Sequence, residues 1–185
     1  MISLFKINFL NSDYNEAINK LKAGQFMVVP SGPGLATIDY DIKYWEALVN
    51  SDFALPDSSF MVLLYRLIYS KKIKKFSGAK FIRYFLRDSY LKEANSLFLI
   101  NPSIEELELN KNYLKKMEIF IKDENQYVAP IYDREEIIDE QLLMVLEALT
   151  EKPKFILINL LLPLEEKNSM FKPIKYKYEI GKQWK

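Results

Sequence analysis

The sequence predicts an α/β fold, with a mainly parallel, Rossmann-like sheet and helices on both of its faces. Five apolar runs each end at a proline: FMVVP at Pro30, DFALP at Pro56, SLFLINP at Pro102, QYVAP at Pro130 and FILINLLLP at Pro163. A residue before proline is pushed towards extended geometry, so each run is predicted to be a strand that ends there. Continuously apolar strands that alternate with helices are typical of a parallel sheet buried on both faces.

The other elements are predicted in chain order. Residues 4–9 form a strand and residues 14–22 a helix. Apolar residues then recur at helical spacing around residues 38–49, 60–68, 81–86, 104–114 and 137–149. We expect a single domain over residues 1–170 and a basic, aromatic tail over residues 171–185.

Composition excludes several kinds of chemistry. The 185 residues include no Cys and no His, which excludes disulfides, thiolate nucleophiles and histidine bases. Acid–base work must fall to Asp, Glu, Lys or Tyr. The net charge of +1 gives no reason to expect nucleic acid as a partner. The start of the chain turns polar too soon for a signal peptide, and no apolar stretch approaches the roughly 20 residues of a membrane-spanning helix.

The predicted architecture places a ligand site at the carboxyl ends of the strands, where open α/β sheets bind their ligands. Those ends are the proline junctions. Five polar segments lie at or just after these junctions and should line one edge: residues 31–34, 57–59, 101, 132–133 and 165–166.

Two of these segments have competing interpretations. The SGPG loop, Ser31–Gly32–Pro33–Gly34, could bring backbone N–H groups to a phosphate or sugar, but an ordinary strand-to-helix turn is favoured by spacing alone. Asp57 could act as a base at the sheet edge. The alternative is that Asp57 or Ser58 caps the next helix, and the residue types alone favour this second interpretation.

The charged motifs are less specific. Asp39 and Asp41 have the spacing of an Asp-X-Asp metal motif, which we reject because both lie within a predicted helix, with Asp39 placed to pair with Lys43. The lysine run over residues 71–75 suits a diphosphate, an anionic membrane or a solvated helix end. The tail from residue 171 could lie on a membrane or fray.

Five segments together resemble the WecG/TagA/CpsF glycosyltransferases (glycosyltransferase family 26). In that family a polar loop and helix follow a strand, then come an "adl-lPDG" segment, a basic stretch ending in Gly, an "lfllg" strand and a late "P-x-Q-E". The matches stand in family order: VVPSGPGLATIDYDIKYWEAL, NSDFALPDSSFMVLLYRL, KKFSGAKFIRYF, SLFLINPS and KPKFILINLLLPLEE. SDFALPDS is the most specific, with Ser where most members have Gly.

This resemblance implies an inverting, metal-independent glycosyltransferase that needs no cofactor. Such enzymes move an N-acetylmannosamine-type or similar sugar from a UDP donor to a lipid-diphosphate-linked acceptor in exopolysaccharide, capsule or wall-polymer synthesis. Asp57 matches the family's proposed base. The residues expected to line the site are Ser31, Gly32, Ser58 and Asn101, with Pro163 and Glu166 near the nucleotide.

The chain departs from the family pattern near its end. Three leucines at residues 160–162 stand where the family has Gly, and Glu165 replaces the Gln. Family chains also continue into basic, apolar, membrane-docking helices, so the resemblance implies a truncated or diverged member. A second copy of the chain could complete the pocket as a homo-oligomer. The expected location is cytoplasmic, at the inner face of the membrane. The alternative is a non-catalytic relative that binds nucleotide sugars or another protein.

Overall fold

The computed structural model describes residues 1–93, 95–132 and 138–158. These residues divide into two compact units, of which unit 1 comprises residues 1–85 and unit 2 the described residues from Leu86 onward. The expected single domain over residues 1–170 stays a prediction.

Unit 1 contains a four-stranded sheet. Its elements are β1 (Ile2–Leu4), β2 (Ile7–Phe9), α1 (Tyr14–Lys22), β3 (Met27–Val28), α2 (Gly32–Leu35), α3 (Ile42–Val49), β4 (Phe53–Ala54), α4 (Ser59–Tyr69) and α5 (Gly78–Phe85). The strand order is β1-β2-β4-β3, and β4 pairs in parallel with β2 and β3. The carboxyl ends of β3 and β4 therefore lie side by side.

The predicted strand over residues 4–9 is wrong, because the chain reverses within it. β1 and β2 form an antiparallel hairpin, and its turn is made by Phe5 and Lys6 with φ of 54° and 65°. Turns of this kind favour Asn-Gly or Asp-Gly, so Phe-Lys gave no turn signal. The indole Nε1 of Trp45 donates a hydrogen bond to the Phe5 carbonyl at 2.9 Å and ties α3 to the hairpin.

Large apolar side chains fill the interior of unit 1. Phe9, Phe53, Phe76 and Phe81 are almost completely buried. Tyr14 on α1 packs edge-on against Phe76, with ring centroids 5.1 Å apart, and also contacts Phe81 on α5. Helix α5 and the segment just before it are thereby held against the first helix of the chain.

Unit 2 contains a three-stranded parallel sheet. Its elements are a 3₁₀ turn (Ser89–Lys92), β5 (Leu97–Asn101), α6 (Ile104–Lys116), a second 3₁₀ turn (Asp123–Asn125), β6 (Gln126–Val128), α7 (Glu140–Ala148) and β7 (Phe155–Ile158). The order is β6-β5-β7, and every residue of the central β5 is buried. This burial explains why the run SLFLIN is apolar without alternation.

The α/β prediction is confirmed. Every strand pair of the described residues except β1–β2 is parallel. The strands belong to two sheets, whereas the apolar runs alone suggested one. No helix within the described ranges is long and apolar enough to span a bilayer.

Candidate functional site

Three loops of unit 1 converge beyond the ends of β3 and β4. A methyl group placed on Gly32 would lie 3.1 Å from Ser58 Oγ, and one placed on Gly78 would lie 2.7 Å from Val29 Cγ1 and 3.4 Å from Asp57 Oδ2. The loop after β3, the loop after β4 and the first residue of α5 are thus in direct contact. Two of the chain's five glycines permit this approach.

Ser58, rather than Asp57, caps α4. Its Oγ accepts a hydrogen bond from the Met61 backbone N–H at 3.2 Å, and its side chain is buried. The Asp57 backbone N–H is turned back to the Leu55 carbonyl at 2.9 Å. Within the described residues the Asp57 carboxylate has no hydrogen-bond or ion-pair partner, and it is partly exposed. A carboxylate left uncommitted at a loop junction is available for proton transfer.

Ser31 begins the short helix α2. Its Oγ accepts a hydrogen bond from the Gly34 N–H at 3.2 Å. This bond uses one lone pair of the Ser31 hydroxyl oxygen and leaves the hydroxyl proton to donate. Gly34 faces Tyr44 of α3, whose Oη would lie 2.5 Å from an added methyl group. Burial raises the pKa of Tyr44 to about 12, so this hydroxyl stays neutral. Gly34 therefore serves packing, while Gly32 lies at the junction.

A basic return segment, residues 70–77, adds a cation that sequence reasoning did not assign. Lys75 Nζ donates to Ser59 Oγ at 2.5 Å, at the first residue of α4. The Phe76 N–H donates to the Pro56 carbonyl at 3.0 Å, and the Lys74 N–H to Asn11 Oδ1 at 3.1 Å. The lysine run is visible in the sequence. Only the folding back of the chain, however, brings Lys75 to Ser59, which is two positions after Asp57 in the sequence.

The interpretation of Asp39 and Asp41 needs correction. Both precede α3 rather than lying inside a helix, and Asp41 caps it by accepting a hydrogen bond from the Tyr44 N–H at 3.1 Å. No group of three or more carboxylates suited to a metal ion occurs within the described ranges. Metal independence stays a prediction.

In unit 2, Asn101 ends β5 and is completely buried. Its Oδ1 accepts a hydrogen bond from Asn110 Nδ2 of α6 at 2.7 Å, and its backbone carbonyl accepts one from the Ala129 N–H. Its Nδ2 has no acceptor among the described residues. Asn101 thus keeps a donor at the strand end. Its predicted position on the same edge as Asp57 stays a prediction.

Asp139 forms a polar cluster that sequence reasoning missed. It caps α7 through the Leu142 N–H and accepts hydrogen bonds from the hydroxyls of Tyr127 and Tyr132. Burial and the neighbouring Asp139 carboxylate raise the pKa of Tyr127 to about 12. These contacts fix the end of β6 to the start of α7, and Tyr132 is engaged there. Pro163 and Glu166, with residues 133 and 165, lie outside the described residues.

Comparison with known families now decides the assignment. The model of the glycosyl transferase WecG/TagA/CpsF family matches residues 2–168. The chain belongs to this family. A search of curated proteins gives no match. The match includes residues of both units, and the junction at Asp57 lies within the matched range.

The junction has the parts that sugar transfer needs. A carboxylate can take a proton from an acceptor hydroxyl, and the amino-terminal ends of α4 and α5 carry partial positive charge that suits a departing phosphate. Lys75 adds a full positive charge at the start of α4. Among the described residues, the junction thus brings together Asp57, Ser58, Gly32, Gly78 and Lys75.

Proposed function

We propose that this glycosyltransferase moves an N-acetylmannosamine-type or similar sugar from a UDP-sugar to a lipid-diphosphate-linked acceptor, with inversion and without a metal ion. Its product would feed exopolysaccharide, capsule or wall-polymer synthesis. The observation that carries the proposal is the division between Asp57 and Ser58: the serine caps α4 and leaves the aspartate uncommitted beside Gly78.

In the proposed reaction an acceptor hydroxyl oxygen attacks the anomeric carbon while Asp57 removes its proton. The bond from that carbon to the diphosphate oxygen breaks, and UDP leaves with the bonding electron pair. Backbone N–H groups at the amino-terminal end of α5 and the Lys75 ammonium would stabilise the departing diphosphate. Attack from the face opposite the leaving group inverts the anomeric configuration.

The remaining predicted site residues complete this scheme by resemblance. Ser31, Gly32 and Ser58 would line the pocket, and Asn101 of unit 2 is a further predicted site residue, whose Nδ2 has no acceptor among the described residues. Pro163 and Glu166 would lie near the nucleotide. The proposed setting is the cytoplasmic face of the membrane, because the acceptor is lipid-linked. We also propose that a second copy of the chain, in a homo-oligomer, supplies residues that complete the substrate pocket.

The test compares Asp57→Asn with Asp39→Asn. Both replace a carboxylate by its amide, but Asp39 is exposed and lies in the turn before α3. With UDP-N-acetylmannosamine and a lipid-linked acceptor, Asp57→Asn should lower turnover roughly 100- to 10,000-fold, the usual value of a general base. Asp39→Asn should transfer sugar at the rate of the unaltered chain.

Calorimetric titration with UDP and UDP-N-acetylhexosamines separates binding from chemistry. Asp57→Asn should bind the donor as the unaltered chain does, whereas Glu166→Ala should bind it more weakly. Donor binding without transfer by the unaltered chain would favour the alternative, a nucleotide-sugar-binding relative. Absence of saturable binding at millimolar ligand would refute an active enzyme.

A further inference from the structure

We propose that the outer face of α4, together with the return segment, docks on an anionic lipid bilayer. This inference specifies the membrane contact of the proposed function. It rests on an apolar helix face, an uncompensated cluster of cations and the geometry that places them together, and it is tested by binding alone, without sugar transfer.

One face of α4 is apolar and turned outwards. Its members, at helical spacing, are Phe60, Leu63, Leu67 and Ile68, with exposed fractions of 63%, 53%, 71% and 56%. Met61 and Tyr65 lie on the side of the helix away from Phe60, Leu63 and Leu67, and both are buried in unit 1; Ile68 lies at the border between the two sides, in the last turn. The helix thus has a core-facing side and a second apolar side with nothing packed on it among the described residues. Exposed apolar faces of this kind mark interaction sites.

The same region carries positive charges that have no ion-pair partner in the part of the chain that the structure describes. Residues 58–85 contain seven cations and no Asp or Glu. All seven are exposed: Arg66, Lys71, Lys72, Lys74, Lys75, Lys80 and Arg83. None of these seven cations has an ion-pair partner among the described residues, whereas in unit 2 lysines 92, 111, 122 and 154 pair with carboxylates. A concentration of unpaired cations attracts an anionic surface.

The chain geometry places these cations beside the apolar face. Ser70 adopts a left-handed conformation, with φ of 52°, and reverses the chain after α4. The return segment then runs back to the start of the helix, where Lys75 reaches Ser59. Cations therefore lie at both ends of α4, which is about 16 Å long: Lys75 at its start, and Lys71 and Lys72 just after its end. A shallow depression on this face is lined by both kinds of side chain: Leu63, Arg66, Leu67, Ser70 and Lys72.

Charge and apolarity together identify the occupant. The chain's own tail, residues 171–185, has five lysines and one glutamate, so it would be repelled by the cluster, as would a second copy of the same face. A nucleic acid would neutralise the cations but offer nothing to the leucines. An anionic bilayer satisfies both, because its headgroups pair with lysines while apolar side chains enter the acyl boundary.

Vesicle flotation of the full chain tests the proposal. Vesicles of phosphatidylcholine with an equal amount of phosphatidylglycerol should bind the protein, and the binding should weaken as salt is raised. Pure phosphatidylcholine vesicles should bind it much less. Two double variants, Leu63→Asn/Leu67→Asn and Lys71→Gln/Lys72→Gln, should each weaken partitioning at least tenfold, because each removes two groups that contact the bilayer.

Matched controls separate this surface from general stickiness. Ile104→Asn/Met144→Asn replaces two equally exposed apolar residues of unit 2, and Lys43→Gln/Lys115→Gln removes two exposed lysines elsewhere. Both should bind like the unaltered chain. Urea midpoints of all four double variants should agree, because every altered side chain is exposed or only partly buried.

Three outcomes would overturn the proposal: no binding to anionic vesicles, equal loss of binding in the controls, or loss only when lysines 175 and 177 of the tail are changed. A variant that no longer binds the vesicles but still binds UDP-sugar would show that the lipid-docking surface and the donor site are separate. If the unaltered chain binds the vesicles but does not bind the donor, the proposed function is refuted and the lipid docking is not.

Discussion

At the residue scale, the loop after β4 gives neighbouring side chains different tasks. Ser58 is buried and committed to the helix end, while Asp57 is partly exposed and uncommitted. Sequence reasoning identified both interpretations of this pair, base and cap, but favoured capping because Asp and Ser are equally good at it. Which of two adjacent residues takes the cap depends on the backbone path, and this cannot be read from residue types.

The two glycines of the SGPG loop also differ at this scale. Spacing alone favoured an ordinary turn over a ligand-accessible loop, and in the structure each glycine makes room for a different neighbour. Gly34 makes room for the Tyr44 ring, while Gly32 makes room for Ser58. Neither contact involves residues close in sequence, so a pattern search along the chain could not have found them.

Replacing Gly34 by Ala should destabilise the protein. The added methyl group would lie 2.5 Å from Tyr44 Oη, 3.0 Å from Cζ and 3.1 Å from Cε1, so α3 or the loop must shift. Overpacking of this kind costs about 1–3 kcal/mol of unfolding free energy. Urea denaturation at neutral pH measures the change.

The double variant Gly34→Ala/Tyr44→Phe supplies the control. Removing the hydroxyl takes away the shortest contact, so part of the loss should be recovered. If Gly34→Ala alone proves as stable as the unaltered chain, the close packing of Tyr44 on this loop is incorrect.

At the element scale, the helices and most strands follow from periodicity and from the proline junctions. The predicted helix at residues 14–22 has those same ends, and each described apolar run ending in proline contains a strand. The hairpin was missed because Phe5 and Lys6 are unusual at positive φ. The division into two sheets was missed because a buried parallel strand carries no record of which neighbour it pairs with.

The pairing of β5 with α6 through two buried asparagines gives a test at this scale. Asn110→Ala should cost about 1–3 kcal/mol, because Asn101 Oδ1 would be left buried without its donor. The double variant Asn101→Ala/Asn110→Ala should cost less than the sum of the single changes. Chemical denaturation of all three variants gives the coupling energy.

Asn112→Ala is the matched change on the same helix, at an exposed position. Its effect should stay within about 0.5 kcal/mol. Equal losses at residues 110 and 112 would mean that the measured cost reflects the helix rather than the asparagine pair.

At the scale of the whole molecule, the absence of histidine removes the usual titration near neutrality. Two tyrosines instead make the free energy of unfolding depend on pH in the alkaline range. The pKa of Tyr44 and that of Tyr127 are each raised to about 12, mainly by burial, from an ordinary value of about 10. Both are neutral in the folded chain at a pH where the unfolded chain already ionises.

The contribution of these two tyrosines to stability should therefore be constant from neutral pH to about pH 10 and then be lost as the pH rises through 12. The sign follows because the folded state holds its protons more tightly, so rising pH favours the unfolded chain. Urea midpoints measured at intervals from pH 8 to 12 should show the decline.

Tyr127→Phe should make that decline shallower, whereas Tyr40→Phe should leave it unchanged because Tyr40 is 76% exposed. An identical alkaline slope in the Tyr127 variant and the unaltered chain would contradict the raised pKa. This comparison needs no knowledge of the substrate.

The candidate site was also only partly predictable at this scale. Asp57, Ser31, Gly32 and Ser58 were placed together by the rule that ligands bind beyond strand ends, and the structure brings these loops into contact. Gly78 and Lys75 were not assigned to this site, although the lysine run was seen to suit a diphosphate, because their arrival depends on how about twenty residues after Asp57 fold back. Contacts made by a returning chain have no local signature.

The return segment has a consequence for hydrogen exchange. Its amides at Lys74 and Phe76 are bonded to Asn11 and to the carbonyl of Pro56, the residue directly before Asp57. The Phe76 amide can exchange with deuterium only when that bond opens. Its exchange rate, read by NMR or mass spectrometry, therefore reports how often the loop that carries Asp57 is released, with no substrate present and no change to the carboxylate itself.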